Sequence, residues 1–306
     1  MTGGRDPANQ ALVVSPRAQA RGVGLVFTGV VSVQFGAALA ATLFPLIGSS
    51  ATVGLRLCLA AVVLVAIGGL RVRGRPRTHL LLAGALGLSM AVMILSLYAA
   101  IDRMPLGAVI TVEFVGPLAV AVALSRRPRD LAIAAVAGLG VVVLAGGLDG
   151  AQLVGVVFAL GAAAGWAAYI TFNSLLARAG VEGALPLAAL VAALVVAPWS
   201  LPQAGPQLLT LHVLLLGIAV AVLSSVVPHS ADMRALRVVP PRLFGVMMSV
   251  HPAVAAVAGF VVLGQRLAVN QVVGMALVVT ASSLAALIAA GPRRARTELA
   301  ADGMNA

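Results

Sequence analysis

Lysine is absent from this chain, acidic residues number only 9, and there is one cysteine. Without lysine there is no Walker-type phosphate loop, which excludes ATP-driven work by this polypeptide alone. The lone Cys58 excludes an intrachain disulfide and any multi-cysteine metal site, and its place inside an apolar run makes it a small packing residue. The four histidines, His79, His212, His229 and His251, are scattered and form no H-E-x-x-H pair, so neither a metal set nor a cofactor is expected. Charged residues make up 9% of the chain against 61% hydrophobic ones, with a mean hydropathy of +1.09. That is too little polar surface to coat a soluble globule, so lipid is the main solvent. All 20 basic residues are arginine, in short tracts between apolar runs rather than on one aromatic-studded face. Nucleic acid is therefore excluded as a partner.

What is present is a series of apolar runs. A helix needs about 20 apolar residues to cross the hydrocarbon core, and only helices or closed barrels satisfy the backbone there. The runs do not alternate, so they read as helices. Ten spans are predicted: Val23 to Phe44, Ala51 to Leu70, Leu80 to Ile101, Gly107 to Ser125, Leu131 to Leu148, Leu153 to Leu176, Leu185 to Leu201, Leu208 to Ala235, Leu243 to Gly264 and Gln271 to Ala290. Residues 1–22 read as an uncleaved cytoplasmic leader and 291–306 as a cytoplasmic tail. Cytoplasmic segments retain positive charge, and with the N-terminus inside 17 of the 20 arginines fall there. Arg103 and Arg266 fall outside, and Arg56 lies within the second span, about one and a half turns from its outer end. A bacterial inner-membrane protein with both termini in the cytoplasm is the expectation.

The chain also repeats itself. Pro105 and Pro117 recur as Pro240 and Pro252, both shifted by 135, and Pro117-Leu-Ala-Val-Ala-Val-Ala matches Pro252-Ala-Val-Ala-Ala-Val-Ala. Shifted by 136, Leu131, Gly138 and Leu148 meet Leu267, Gly274 and Leu284. Residues 23–148 and 149–290 are thus expected to be five-span repeats. An odd span number inverts the second copy and points to a site between the halves near mid-membrane.

Certain segments carry a family resemblance: Ser32-Val-Gln-Phe-Gly-Ala, Ser96-Leu-Tyr-Ala-Ala-Ile with Pro105-Leu-Gly, Glu113-Phe-Val-Gly-Pro through Ser125-Arg-Arg-Pro, Gly165-Trp-Ala-Ala-Tyr, and Phe244-Gly-Val-Met-Met-Ser with Pro252. In this order the chain resembles the drug/metabolite transporter superfamily, its ten-span EamA type, and within that the threonine and homoserine exporter branch. The resemblance implies an all-α membrane fold of two inverted five-helix repeats and export of a small neutral amino acid. Two positions depart from it: His251 and Gln265 stand where exporters of that branch usually carry acids.

Glu113 is the only acid deep inside a predicted span, where a charge costs at least about 2.5 kcal/mol. Three arrangements offset that cost: protonation, pairing with Arg56, or a wet cavity where it meets a substrate ammonium; a structural hydrogen bond to a neighbouring helix is the plainer reading. Its protonation depends on burial and on nearby cations, so it can follow occupancy. Arg56 is either a carboxylate anchor or an interfacial snorkelling residue. Trp166, Tyr169 and Asn173, at i, i+3 and i+7, share a helix face that reads as an aromatic cavity wall, with Gly161 and Gly165 permitting close packing beside it. Ser225, His229 and Asp232 share a face of the eighth span, a candidate polar gate, though Asp232 also fits the interface. His251 is a candidate titrating group, or a hydrogen-bonded core histidine. Gln34 and Tyr98 complete the polar set. Pro117, Pro228 and Pro252 are expected to bend their helices and free carbonyls toward a cavity lined by spans one, three, four, six, eight and nine.

These features read as secondary transport by alternating access, with protons as the coupling ion and the bilayer as partner. Efflux of drugs or other metabolites is the alternative within the same fold. An intramembrane enzyme needs convergent acids, a metal set or a nucleophile with its base, none of which the pattern supplies. A membrane sensor lacks a sizeable soluble domain. Monomer and homodimer both remain open.

Overall fold

The computed structural model describes residues 16–70, 74–125, 128–146, 148–181, 183–235, 239 and 241–289. These form helices α1 (Pro16–Ala41), α2 (Phe44–Gly68), α3 (Arg77–Ile101), α4 (Leu106–Glu113), α5 (Val115–Ser125), α6 (Pro128–Ala145), α7 (Gly150–Arg178), α8 (Ala184–Ser200), α9 (Leu211–Ala221), α10 (Val227–Ala235), α11 (Pro241–Met248), α12 (His251–Leu263) and α13 (Val269–Ala289). A 3₁₀ stretch, Leu201–Leu209, follows α8, and a π-turn, Val222–Val226, joins α9 to α10. Among the described residues eight helical runs are long and apolar enough to cross a hydrocarbon core. Two shorter apolar runs, Leu106–Val120 and Leu211–Val226, fall in the fourth and eighth predicted spans.

The ten spans are therefore present, three of them interrupted. The fourth is α4 plus α5, with the interruption at Phe114; the ninth is α11 plus α12, interrupted just before His251. Each interruption lies about one turn before a proline, Pro117 or Pro252, which has no N–H to bond the carbonyl four residues back. The eighth span loosens into its π-turn just before Pro228 for the same reason. Ser32 of α1 donates to the Leu223 carbonyl at 2.7 Å, satisfying the acceptor that residue 228 would otherwise claim across the π-turn.

The inverted repeat governs packing. Span five crosses span ten, two crosses seven and four crosses nine, each pairing an element with its own copy; α3 packs on α7 as α1 packs on α9 and α10. Crossings are close where glycine removes the side chain. Gly140 and Gly274 face each other's carbonyls between α6 and α13. Gly165 lies against the Met93 backbone, and its counterpart crossing sets Gly36 against Ser224. The repeat also shows in left-handed glycines: Gly48 (φ 78°) and Gly183 (φ 67°), 135 residues apart, immediately precede the regular runs of α2 and α8. Large apolar side chains such as Leu81 (73% exposed) and Val142 (67% exposed) cover the outside, as a lipid-facing surface requires.

Two boundaries differ from expectation. α1 begins at Pro16, ahead of Val23, and α2 begins at Phe44, its break at Gly48 hiding an extra turn from the hydropathy pattern. Arg56 is consequently the middle residue of α2, with roughly 18 Å of helix on either side, and not near its outer end.

A Cβ on Gly165 would stand 2.7 Å from the Met93 backbone, whereas one on Gly84 would meet nothing within 4 Å. Gly165→Ala is expected to destabilise the detergent-purified protein by about 1–3 kcal/mol through overpacking. Gly84→Ala is expected to be neutral or stabilising by up to about 1 kcal/mol. Paired thermal-denaturation curves check this, and equal melting temperatures would contradict the crossing.

Candidate functional site

A cavity of about 310 Å³ lies between the two halves. It reaches Leu64 of α2 and Leu185 of α8 at the end where the loops between α2 and α3 and between α7 and α8 gather, the arginine-rich end. Toward the other end it stops at Leu97 and Ile110, beyond which buried Leu43, Ile47, Leu106 and Val109 fill the section. Beyond the expected spans, α2 and α8 also contribute to its wall, through Arg56 and Ala189 among others.

Glu113 is the C-terminal residue of α4, 6% exposed, and faces this cavity. It forms neither a hydrogen bond nor an ion pair with any described residue, so the interhelical hydrogen bond and the direct pairing with Arg56 weighed from sequence are both absent. Arg56 also lines the cavity, close enough for its charge to act on the Glu113 carboxyl without contact. Its position comes from behind: Nη1 donates to the Tyr98 hydroxyl at 2.9 Å, and the guanidinium lies 5.4 Å from that ring's centroid. Tyr98 is fully buried against Phe44 and is not part of the cavity wall. It is a support for Arg56, a correction to its reading as a binding residue. Mid-helix placement and this clamp also remove the snorkelling reading of Arg56.

Span nine enters beside Glu113. The Gln34 amide nitrogen lies 2.8 Å from His251 Nδ1, tying α1 to α12. With the amide donating, the imidazole proton resides on Nε2, which is buried and has no partner. Phe114, next to Glu113, packs between this ring (centroids 5.7 Å) and Trp166 (5.2 Å, edge to face). Trp166 and Tyr169 line the cavity as their shared face predicted; Asn173 does not, lying exposed a turn further toward the helix end.

On the eighth span Ser225 and Pro228 line the cavity, and so does Ser224, which the spacing argument missed. A π-turn inserts a residue into the helical register, so the i, i+4, i+7 face does not continue through it. The side chains of His229 and Asp232 lie outside the described residues. Phe114 was also missed; its signal was an aromatic wedged between a deep acid and a proline. The residues four before each proline, Glu113, Ser224 and Met248, all line the cavity. Gln265, one of the departures from the family pattern, accepts from the Leu106 backbone N–H at 2.9 Å and so caps α4 across the halves.

Comparison with known proteins agrees with this arrangement. The EamA-like transporter family matches residues 153–287. The chain is 40% identical over 260 residues to the threonine/homoserine exporter RhtA of Salmonella typhimurium, covering 82% of this chain and 86% of that protein. The chain belongs to the EamA-like transporter family. Its similarity to the threonine/homoserine exporter RhtA of Escherichia coli K12 is 38% identity over 267 residues, 84% of this chain and 88% of the relative. No solved structure is significantly similar to it. In this EamA-family chain the cavity between inverted halves is where such a transporter would hold its small-molecule cargo.

Tyr98→Phe removes one hydrogen bond to Arg56 and keeps the ring. It is expected to weaken cargo binding by about 1 kcal/mol, roughly fivefold in Kd, while leaving the melting temperature nearly unchanged. Titration of the purified variant checks this; unchanged affinity would mean that Arg56 needs no support.

Proposed function

We propose that this protein exports a small neutral amino acid such as threonine or homoserine across the bacterial inner membrane, by alternating access coupled to protons. The observation that carries the reading is the pairing, in one cavity, of a carboxylate without a protein partner and a guanidinium clamped by a tyrosine. A zwitterion offers both complements: its ammonium to Glu113 and its carboxylate to Arg56, the latter through a two-bond fork. The volume of about 310 Å³ lies at the lower end of the roughly 300–1,000 Å³ usual for small-ligand sites, which favours an amino acid over a bulky drug. The names of the relatives support the same cargo class.

Under the positive-inside rule the arginine-rich end, and with it both termini, faces the cytoplasm. The cavity then opens toward the cytoplasm and is closed on the outside, the state in which an exporter loads. Glu113 is the proton site of this mechanism. When its ammonium partner leaves, the carboxylate is stranded at membrane depth, and taking a proton removes the charge that would oppose return of the empty carrier. The reading is of a transporter and not of an enzyme, since the cavity gathers no nucleophile with a base to act on its cargo.

Proteoliposome flux of labelled threonine and homoserine, with and without an imposed pH gradient, tests this. Glu113→Gln is expected to abolish gradient-dependent flux at least about a hundredfold, and Arg56→Gln to raise the half-saturating concentration by about tenfold or more. Undiminished gradient-driven flux in Glu113→Gln would make the residue structural. Absence of flux of either amino acid from folded wild-type protein would turn the reading toward another metabolite.

A further inference from the structure

Two cavity residues present polar atoms that the protein itself leaves without partners. His251 Nε2 and Ser224 Oγ are both buried and unbonded, on residues 8% and 7% exposed. Buried polar groups are normally hydrogen-bonded, and two exceptions in the wall of one cavity call for a ligand that completes them. The Gln34 amide occupies Nδ1 of His251, which fixes the ring and leaves Nε2 as the donor. The ring also packs against Phe114, so it cannot swing away without displacing the residue next to Glu113. Ser224 Oγ is pressed toward Gly36, where any larger residue would fill its space.

We infer that His251 and Ser224, positioned by Gln34 and Gly36, form a subsite for the side-chain hydroxyl of the cargo, and that this subsite selects hydroxylated amino acids over their apolar isosteres. The inference rests on the amino-acid reading of the cavity. A hydroxyl is at once a donor and an acceptor, which matches an imidazole N–H on one side and a serine oxygen on the other. Glu113 and Arg56 hold the charges common to every amino acid and do not distinguish among them. A neutral polar pair beside them does, because an isostere without the hydroxyl leaves both buried atoms unpaired, and sites of this kind discriminate far more strongly than apolar pockets do. His251 replaces an acid usual at this position in similar exporters, so the selectivity belongs to this chain's own residues.

The test is counterflow of labelled threonine in proteoliposomes, competed by unlabelled threonine or by valine, which has threonine's shape with a methyl for the hydroxyl. Wild type is expected to prefer threonine by about tenfold or more. In His251→Phe and in Gln34→Leu the preference falls below about threefold while valine still competes, and His251→Gln, which keeps an N–H donor, retains part of it. Ser224→Ala reads the same ratio with the least disturbance to packing, should the larger changes fail to fold. Equal competition by threonine and valine in wild type, or an unchanged ratio in all four variants, overturns the hydroxyl subsite alone. Loss of valine transport in a folded His251→Phe overturns it as well, since it would place the histidine in the transport cycle itself. Wild type that moves no amino acid overturns both this inference and the reading on which it rests.

Discussion

In hydrocarbon a backbone carbonyl has no water to turn to, and the distribution of helix breaks in this protein follows from that constraint. Three prolines lie within spans, and each withdraws an N–H from its helix. Facing lipid, each would strand an acceptor. Instead the residues four before them, Glu113, Ser224 and Met248, line the cavity, and the Leu223 carbonyl is taken by Ser32. Interruptions at membrane depth therefore lie against protein or cavity, while the lipid-facing runs of α3, α6, α7 and α13 stay continuous. The cavity is not an accident of loose packing but the place where the sequence can afford broken helices.

The end of the cavity away from the arginines is closed by apolar packing and by polar bonds between halves. Gln265 caps the first turn of α4, and the Asn270 amide donates to carbonyls at the C-terminal end of α6, the Gly146 carbonyl among them. These bonds join the start and end of span ten's connecting loop to spans four and five. At the arginine-rich end the cavity instead runs out to the first turn of α8. Since the two halves are inverted copies, the packing that closes one end has a counterpart sequence at the other, which is the structural condition for exchanging open and closed ends.

Much of this was legible in the sequence because it depends on one-dimensional quantities. Span number follows from apolar run length, and the inverted repeat from prolines at a fixed shift, so both survive folding unchanged. Glu113, Trp166 and Tyr169 were legible because depth and helical spacing are enough to place them. Depth misled for Arg56, since Gly48 lets α2 begin a turn earlier than the hydropathy suggests. Asn173 shares the right face but lies too far along it, and a face has no ends in a spacing argument. Ser224 and Tyr98 were misjudged for a third reason: a π-turn alters register, and whether a buried tyrosine faces the cavity or stands behind an arginine is decided by tertiary packing alone. The paired left-handed glycines Gly48 and Gly183 carry the repeat as clearly as the prolines do, yet only backbone torsions reveal them.

The two halves share a backbone but not a chemistry. The position of Glu113 in the first half is occupied by Met248 in the second, and both side chains face the same cavity. An acid at both positions would bring two carboxylates together in a low-dielectric site, where like charges oppose ionisation of the pair. A single carboxylate opposite a flexible apolar side chain keeps one charge for one ammonium. His251 in turn corresponds to Gly116, and that exchange cannot run backwards: a Cβ on Gly116 would collide with the Ala163 carbonyl of α7. The tight crossing of α5 and α7 thus confines the histidine to the second half. Symmetry sets where the helices break, and the steric and electrostatic cost of filling equivalent positions alike sets which half carries each functional group.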